Sequence, residues 1–350
     1  MTRRKSSMAW TSFALAILVV AAESSVARAA GLDAKTQKFI SRGLDWLANS
    51  QSSRGHWAAG EGRYPTSMTA LSATALLLEG STTTQGKYQK NIKKAVDYLV
   101  SRSRTTGLIG DPNTDDRYTY GHGFSMLFLS QVLGEEEDED RRRELIKVLT
   151  KAVEFSGRAQ TDEGGWGYVS AKDGNGFDEG STTITQVQGL RGCRNAGIPV
   201  PKEIIDKAIK YIRKCTMDDG GVQYSSKGGG GRPAISAAAI ACLFNAGDYD
   251  DQIVPKMLSY ADKNLSNISN QGFGHWHYAH YYYSQVMYRE GGKKWESYRD
   301  KIYPRIVSEA TDDGRNGIYW TQGYVGPVYT TATNLTILQL ENNSLPIYQR

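Results

Sequence analysis

The chain has 350 residues, of which 39% are hydrophobic and 23% are charged. This composition is typical of a soluble globular protein and excludes a disordered chain or a protein with many membrane spans. The formal charge of +5 falls to +2 without residues 1–29, which hold four basic residues and one acidic residue. Such a near-neutral chain lacks the basic patch that nucleic-acid binding requires, so we expect no nucleic-acid partner.

Residues 1–29 are predicted to form a secretory signal peptide. They combine a basic start at residues 3–5, a mostly apolar stretch at residues 8–22 that is short for a membrane span, and an Ala-Arg-Ala cleavage site at residues 27–29. An uncleaved anchor is the alternative. We expect an exported protein, periplasmic or extracellular, whose mature chain has no membrane span.

From residue 31 to residue 350, a loop pattern of glycine and aromatic residues recurs six times. A period near fifty residues is typical of repeat architectures, and the pattern predicts one domain built from six units. The marker glycines, 45 to 58 residues apart, are Gly55, Gly107, Gly165, Gly221, Gly272 and Gly317.

Each unit contains two helical patterns of different polarity. The helix before each loop is amphipathic, as in Ile92, Val96 and Leu99, whereas the helix after it is small or apolar on nearly every side, as in residues 70–78 and 234–244. Outer amphipathic helices alternating with inner buried helices predict an all-α fold, an (α/α)6 toroid of six helical hairpins. The starts of the inner helices would then line a central cavity. An open solenoid is the alternative, but no unit has the polar face of a terminal cap.

The cysteines Cys193, Cys215 and Cys242 are few and widely spaced. This count and spacing do not predict a disulfide scaffold or a zinc knuckle. Pairing of any two of them stays open, and small buried apolar residues are the simpler interpretation.

Several motifs carry a family resemblance. The sequence Gly-Gly-Trp-Gly-Tyr at residues 164–168 resembles the repeats of the prenyltransferase and squalene cyclase superfamily. Residues 281–287, 329–332 and 345–348 resemble a branch of exported bacterial proteins with prenyltransferase/squalene-oxidase repeats, of the planctomycete type. The resemblance covers essentially the whole mature chain and implies a toroid like that of terpenoid cyclases and protein prenyltransferases.

The catalytic motifs of that superfamily do not carry over. The Asp-x-Asp-Asp pattern of squalene cyclases occurs at residues 248–251, but at the end of an inner helix, where it is predicted to cap the next outer helix. Residues 232–237 match the stretch in which protein prenyltransferases place a zinc-binding Asp and Cys, and they contain neither. His280 alone resembles the later zinc ligand, so no cofactor is predicted.

Histidines and loop acids are the candidates for chemistry. His275, His277 and His280 could bind a transition metal, with His122 or the acids Asp115 and Asp116 as a further ligand. Hydrogen bonding to loop backbone and stacking on aromatic rings is the favoured alternative. Asp115, Asp116 and His122 are also the catalytic candidates, since loop acids, together with those of residues 173–179, could supply the carboxylate pair of a glycan-cleaving enzyme. The alternative is solvated loop acids.

Rim aromatics and one arginine are the candidate ligand-binding residues. A tyrosine ring offers an apolar face and a polar tip, which suits a sugar or an extended lipid. For any single ring, packing one repeat on the next is the alternative. The candidates are Tyr120, Trp166, Tyr168, Arg232, Trp276, Tyr281, Tyr282, Trp320 and Tyr329.

Together these features favour a toroid that binds an extended hydrophobic or glycan ligand, or a partner protein, in an aromatic cavity without the known catalytic motifs. The alternative is an enzyme, either a relative of terpenoid cyclases and transferases or a glycan hydrolase or lyase that uses rim carboxylates or a histidine-bound metal. A single acid buried among aromatic rings would favour the cyclase. A pair of carboxylates facing a deep pocket would favour the glycan enzyme.

Overall fold

A computed structural model describes residues 34–174, 176–249, 251–272 and 274–349. The predicted signal peptide and Asp250 of the acidic motif lie outside the described residues. Within them, no helix is both long enough and apolar enough to cross a membrane.

The described residues form twelve α-helices that alternate between an outer and an inner position. The outer helices are α1 (Ala34–Asn49), α3 (Gln89–Ser101), α5 (Glu139–Ala159), α7 (Lys202–Cys215), α9 (Val254–Leu265) and α11 (Gly292–Ser308). The inner helices are α2 (Pro65–Leu78), α4 (Tyr118–Glu135), α6 (Gly180–Asn195), α8 (Pro233–Ala246), α10 (Trp276–Glu290) and α12 (Pro327–Leu338). Two short antiparallel hairpins lie in loops, β1 (Gln223–Ser225) with β2 (Gly228–Gly231) and β3 (Thr311–Asp312) with β4 (Ile318–Tyr319).

The inner helices form a closed ring. Each packs against the next along the chain, and α12 packs against α2. Across this seam the Gln339 amide donates to the Ala75 carbonyl at 3.0 Å, and Arg42 of α1 is ion-paired with Asp312 at 2.6 Å. The predicted (α/α)6 toroid is confirmed, and the open solenoid is wrong.

Burial follows the predicted polarity of the two helix types. Every residue of α2 is buried, whereas α3 buries only the stripe of Ile92, Ala95, Val96 and Leu99. A helix that is apolar on all sides needs neighbours on all sides, which the inner ring provides. The three cysteines are buried free thiols, so none of them pairs with another.

Five of the six loops at one end of the ring pack on the next outer helix in the same way. In each, a glycine with positive φ lies so close to that helix that a Cβ would stand 2.1 to 2.5 Å from a backbone carbonyl oxygen, a fit that only glycine allows. We call these the clasped loops. Their contacts join Gly55 to Lys94, Gly107 to Lys151, Gly164 to Lys207, Gly220 to Lys256 and Gly317 to Arg42.

A second contact anchors each clasped loop to its own inner helix. A loop backbone N–H donates to a side chain in the first turns of that helix, at 2.8 to 3.1 Å. The acceptors are Thr69, His122, Thr183, Ser236 and Thr331. His122 therefore occupies a position where the other four clasped units use a hydroxyl group.

The acidic motif at residues 248–251 lies where a cap was predicted. Asp251 accepts a hydrogen bond from the backbone N–H of Ile253 at 3.1 Å, just before α9. Arg213 of α7 pairs with Asp248 at 3.0 Å and with Asp251 at 2.7 Å. Neither described aspartate lines the central cavity. The N-cap of α9 is Ile253, without a side-chain cap hydrogen bond, so Asp251 holds the turn before the helix and the predicted acidic cap is wrong.

Candidate functional site

The N-terminal ends of the inner helices surround a cavity of about 1090 Å³. Known small-molecule sites are typically about 300 to 1,000 Å³, so the cavity can hold an extended ligand. Its polarity changes with depth. Leu71 and Phe124 lie one helical turn beyond Ser67 and Tyr120, and they give the floor an apolar lining.

Glu179 is the buried carboxyl group of the cavity wall among the described residues, with 1% of its surface exposed. It directly precedes α6 and accepts hydrogen bonds from the backbone N–H groups of Ser181 and Thr182 at 3.1 and 3.0 Å. The Ser181 hydroxyl donates to it at 2.5 Å and the Tyr120 hydroxyl at 3.4 Å. Burial nevertheless raises the pKa of Glu179 above its ordinary value, so the neutral acid is favoured more than in water.

Its neighbour Asp178 has a different role. Although it is fully buried, it accepts hydrogen bonds from the Ser225 hydroxyl at 2.9 Å and from the Ser226 backbone at 2.7 Å. These contacts tie the β1–β2 hairpin to the loop before α6. The two adjacent acids are therefore not a carboxylate pair facing the cavity.

Tyrosines and arginines meet at the rim beside Glu179. The Tyr168 and Tyr224 hydroxyls are hydrogen-bonded to each other, and Tyr168 is stacked on Tyr120 at 5.9 Å between ring centroids. The Arg117 guanidinium lies 4.3 Å from the Tyr168 ring centroid, and that of Arg232 lies 4.4 Å from the Tyr224 ring centroid. The rim thus carries cationic groups held on aromatic faces.

Helix α10 supplies the other side of the cavity through Trp276, His277 and Tyr278. The Trp276 indole donates to the Ile268 carbonyl at 2.9 Å, and the Tyr278 hydroxyl donates to the Ser181 carbonyl at 3.1 Å. Burial, and secondarily the charge of Arg305, lower the pKa of His277 to about 4. His277 is therefore neutral near pH 7.

The predicted ligand-binding residues divide into two groups. Those that line the cavity are Tyr120, Tyr168, Arg232, Trp276 and Tyr329. The other four lie in the packed core, which corrects the prediction that they face a ligand. Those four are Trp166, Trp320, Tyr281 and Tyr282.

Each of the four core residues has a packing role. The indoles of Trp166 and Trp320 donate to carbonyls of the preceding outer helices, Ser156 at 2.8 Å and Ile306 at 2.7 Å. The Tyr281 hydroxyl is bonded to that of Tyr348 at 3.0 Å, and Tyr282 is fully buried between rings, with Tyr281 and Tyr278 both at 4.9 Å. These four rings pack one repeat on the next, which is the alternative given above for any single ring.

The three clustered histidines do not converge. His275 Nδ1 is bonded to the Tyr324 hydroxyl at 3.1 Å, and the fully buried His280 has Nδ1 bonded to the Tyr298 hydroxyl at 2.8 Å. Within the described parts of the chain, no three His, Cys, Asp or Glu side chains are grouped to hold a metal ion. His275 and His280 contact aromatic rings, as the favoured alternative predicts, but they hydrogen-bond to tyrosine hydroxyls and not to loop backbone. The proposed ligand set does not form.

The catalytic candidates lie outside the cavity lining. His122 uses both ring nitrogens in packing, with Nδ1 accepting from the Ile109 backbone and Nε2 bonded to the Ala152 carbonyl, each at 3.1 Å. Asp116 is exposed and lies 3.9 Å from Arg63. Asp115 is buried, and burial raises its pKa to about 6. None of the three has access to a ligand in the cavity, which corrects their predicted role.

Sequence reasoning misses two residues of the site. It treats Glu179 only as one loop acid among several, and it does not single out Arg117. The available signal for Glu179 is its position two and three residues before Ser181 and Thr182, at the start of an inner helix. An acid at that position caps the helix and lies at the cavity mouth, between solvent and the buried interior.

Solved proteins share this fold at low sequence identity. The GH76A α-1,6-mannanase from Salegentibacter sp. HEL1_6 is 10% identical, with a TM-score of 0.63 over 87% of this chain and 98% of the mannanase. A variant of the type II terpene cyclase MstE from Scytonema, in complex with geranylgeranyl dihydroxybenzoate, is 14% identical, with a TM-score of 0.58 over 89% of this chain and 98% of the cyclase.

A D-mannose isomerase is 11% identical, with a TM-score of 0.58 over 88% of this chain and 97% of the isomerase. At these identities the likeness shows the (α/α)6 toroid fold alone. No family model matches the chain, and no curated protein matches it. Membership of the branch with prenyltransferase/squalene-oxidase repeats stays a prediction.

Proposed function

We propose that the protein binds an extended amphiphilic ligand in its central cavity, with the apolar part on the floor and the polar head at the rim. The observation that carries this proposal is the change of lining with depth, from Arg117 and Tyr120 at the rim to Leu71 and Phe124 on the floor. Apolar side chains favour a ligand with an apolar part, because binding removes that part from contact with water. The predicted export would place this binding outside the cytoplasm.

The floor argues against a glycan as the ligand. A sugar has hydroxyl groups around its whole ring, and Leu71 and Phe124 offer them no hydrogen bond. Among proteins with the same fold, the terpene cyclase was solved with geranylgeranyl dihydroxybenzoate and a mannanase variant with α-1,6-mannotriose. A chain of the geranylgeranyl type fits this lining better than an oligosaccharide does.

Binding is tested by mass spectrometry of the intact complex with hexadecanol. We expect one bound molecule per chain, and loss of binding in Ala234→Trp, because Ala234 lines the cavity and the indole would fill it. Ala246→Trp, at the other end of the same helix α8, is the matched control and should bind normally. Equal binding by both variants would contradict a cavity ligand.

Acid catalysis is a second function, which Glu179 favours. It is a single acid buried among Tyr120, Tyr168 and Tyr278, and burial favours its protonated form. A neutral carboxyl group can donate its proton to an alkene, and tyrosine faces can stabilise the carbocation that forms. The cyclised cation becomes a neutral product when it loses a proton to water, and the carboxylate regains a proton from solvent. If this occurs, geranylgeraniol should yield cyclic products detectable by gas chromatography, and Glu179→Gln should abolish them while still binding the alcohol.

A further inference from the structure

Three arginines line the rim among the described residues, Arg63, Arg117 and Arg232, and only Arg63 is ion-paired with a carboxylate. Arg63 lies 3.9 Å from Asp116, and Glu309 is paired with Arg305 at 2.8 Å. In the portion of the chain that the structure describes, neither Arg117 nor Arg232 is ion-paired with a carboxylate, and neither guanidinium donates a hydrogen bond to protein. Both are exposed at the cavity mouth.

The aromatic rings under these arginines fix where their charges lie. Arg117 stacks on Tyr168 and Arg232 stacks on Tyr224, and the two tyrosines are joined through their hydroxyls. A stacked guanidinium keeps its N–H edge available for hydrogen bonds in the ring plane. The two cations therefore flank one pair of hydroxyl groups at the mouth.

The hydroxyl pair has one more donor than it can use internally. Two phenol groups carry two protons, and the hydrogen bond between Tyr168 and Tyr224 uses one of them. Among the described residues, no further acceptor for either hydroxyl is present. The second proton can therefore be donated to a ligand oxygen beside the two arginines.

We infer that Arg117, Arg232 and the Tyr168–Tyr224 hydroxyl pair form a subsite for an anionic oxygen head group, a carboxylate or a phosphate. This inference rests on the proposed function, since the head group would belong to the amphiphile whose apolar chain lies on the floor. Guanidinium groups bind carboxylate and phosphate oxygens through charge-assisted hydrogen bonds. The ligand class thereby narrows from amphiphiles in general to anionic ones.

The test compares four probes on the purified protein by isothermal titration calorimetry. The probes are hexadecanoate, hexadecyl phosphate, hexadecanol and inorganic phosphate. We expect the two anionic lipids to bind at least about tenfold more tightly than hexadecanol, and added salt to weaken their binding but not that of the alcohol. Arg117→Gln and Arg232→Gln should each weaken binding of the anionic lipids about tenfold and weaken hexadecanol binding much less, because the alcohol carries no charge for the guanidinium to pair with.

Arg63→Gln is the matched control, because this arginine lies at the same rim but is ion-paired with Asp116. It should change binding of the anionic lipids by less than about twofold. Arg117→Lys keeps the charge and provides a variant that tests the site if the glutamine variant does not fold. Thermal melts of all variants report folding separately.

The outcomes separate the two proposals. Equal affinity for hexadecanol and hexadecanoate, without salt dependence, would overturn the head-group subsite and leave cavity binding intact. Binding of none of the four probes would overturn both proposals. Arginine-dependent binding of inorganic phosphate without any lipid binding would support the anion subsite and overturn the amphiphile as its ligand.

Discussion

Five of the six repeat units have a clasped loop, and the remaining unit, the fifth in chain order, has a loop at residues 266–275 that is not clasped. The difference between them shows how one repeat serves two purposes. In the clasped loops, a glycine lies against the next outer helix. In the fifth loop, Gly272 and Gly274 make no contact with α11, and Gln271, Gly274 and His275 line the cavity themselves. The repeated contacts hold the ring together, and the unit that departs from them contributes its loop to the site.

The same division exists within single loops. Trp166 is committed to packing, whereas Tyr168, two residues later, lines the cavity. The same offset places Tyr224 after Val222 and Gln322 after Trp320 in the lining. In these three loops the anchored residue is thus structural, and the residue two positions later lines the cavity.

The largest effect expected from this comparison concerns glycine. Gly107→Ala would bring a Cβ to 2.1 Å from the Lys151 carbonyl oxygen, at a φ of 90°. The left-handed backbone and the steric clash together should lower the free energy of unfolding by about 3 to 5 kcal/mol. Gly274→Ala, at a φ of 71° with no atom within 4 Å, should cost only about 1 to 2 kcal/mol. Urea denaturation of both variants measures the difference, and equal losses would refute the clasp.

The next effect separates two adjacent acids in the clasped loop before α4. Asp115 is buried with a pKa of about 6, so it keeps its proton to a higher pH in the folded protein than in the unfolded chain. Stability should therefore fall as pH rises from about 4 to about 6. Asp115→Asn should remove this loss and stabilise the protein by up to about 3 kcal/mol at pH 7, with little effect at pH 4.

Asp116→Asn is the control, because Asp116 is exposed and its only ion pair among the described residues is with Arg63 at 3.9 Å. It should change the pH dependence only slightly, because the charge of Asp116 is a smaller cause of the raised pKa of Asp115 than burial is. Denaturation midpoints between pH 4 and pH 7 give the comparison. If both variants have the wild-type pH dependence, the burial of Asp115 does not penalise its charge.

A smaller effect tests the equivalence of the clasped units. His122 occupies the position of a hydroxyl group in the other four, and burial lowers its pKa to about 4. The unfolded chain therefore takes up a proton that folded His122 does not, and stability falls as pH drops from about 6.5 to about 4. His122→Thr should reduce that slope by about 1.4 kcal/mol per pH unit. The contributions of His277 and His280 to the slope should remain.

Unfolding measured by urea titration at several pH values checks this slope. The threonine should also accept the Ile109 N–H, as Thr69 and Thr331 accept theirs in other units. An unchanged slope would mean that His122 is not held neutral by burial. A collapse of stability at pH 7 would mean that this unit is not equivalent to the others.

The fold was predictable from the sequence because burial imposes a pattern on every residue of a helix. An inner helix such as residues 234–244 must be apolar on all sides, and an outer helix such as α3 only along one stripe. Six repetitions of that contrast specify a ring. In the third and fourth units, the clasping glycine lies one residue before the predicted marker: it is Gly164 and not Gly165, and Gly220 and not Gly221.

The site was less predictable, because side-chain direction decides it and residue type does not. Trp166 and Tyr168 cannot be told apart by composition, since the anchored indole and the cavity ring are both aromatic. On α10, Tyr278 lines the cavity, whereas Tyr282, one turn further along, lies between packed helices. Aligning the six units would have shown that His122 and Trp320 stand at anchoring positions.

The most direct test of a ligand in the cavity uses Trp276, a cavity-lining indole, whereas Trp57, Trp166 and Trp320 are fully buried in packing contacts. A hexadecanoate brominated near the middle of its chain quenches tryptophan fluorescence by contact. We expect saturable quenching in the wild type that is largely lost in Trp276→Phe, with lipid binding retained by calorimetry. Undiminished quenching in Trp276→Phe would place the ligand elsewhere and contradict binding in the central cavity.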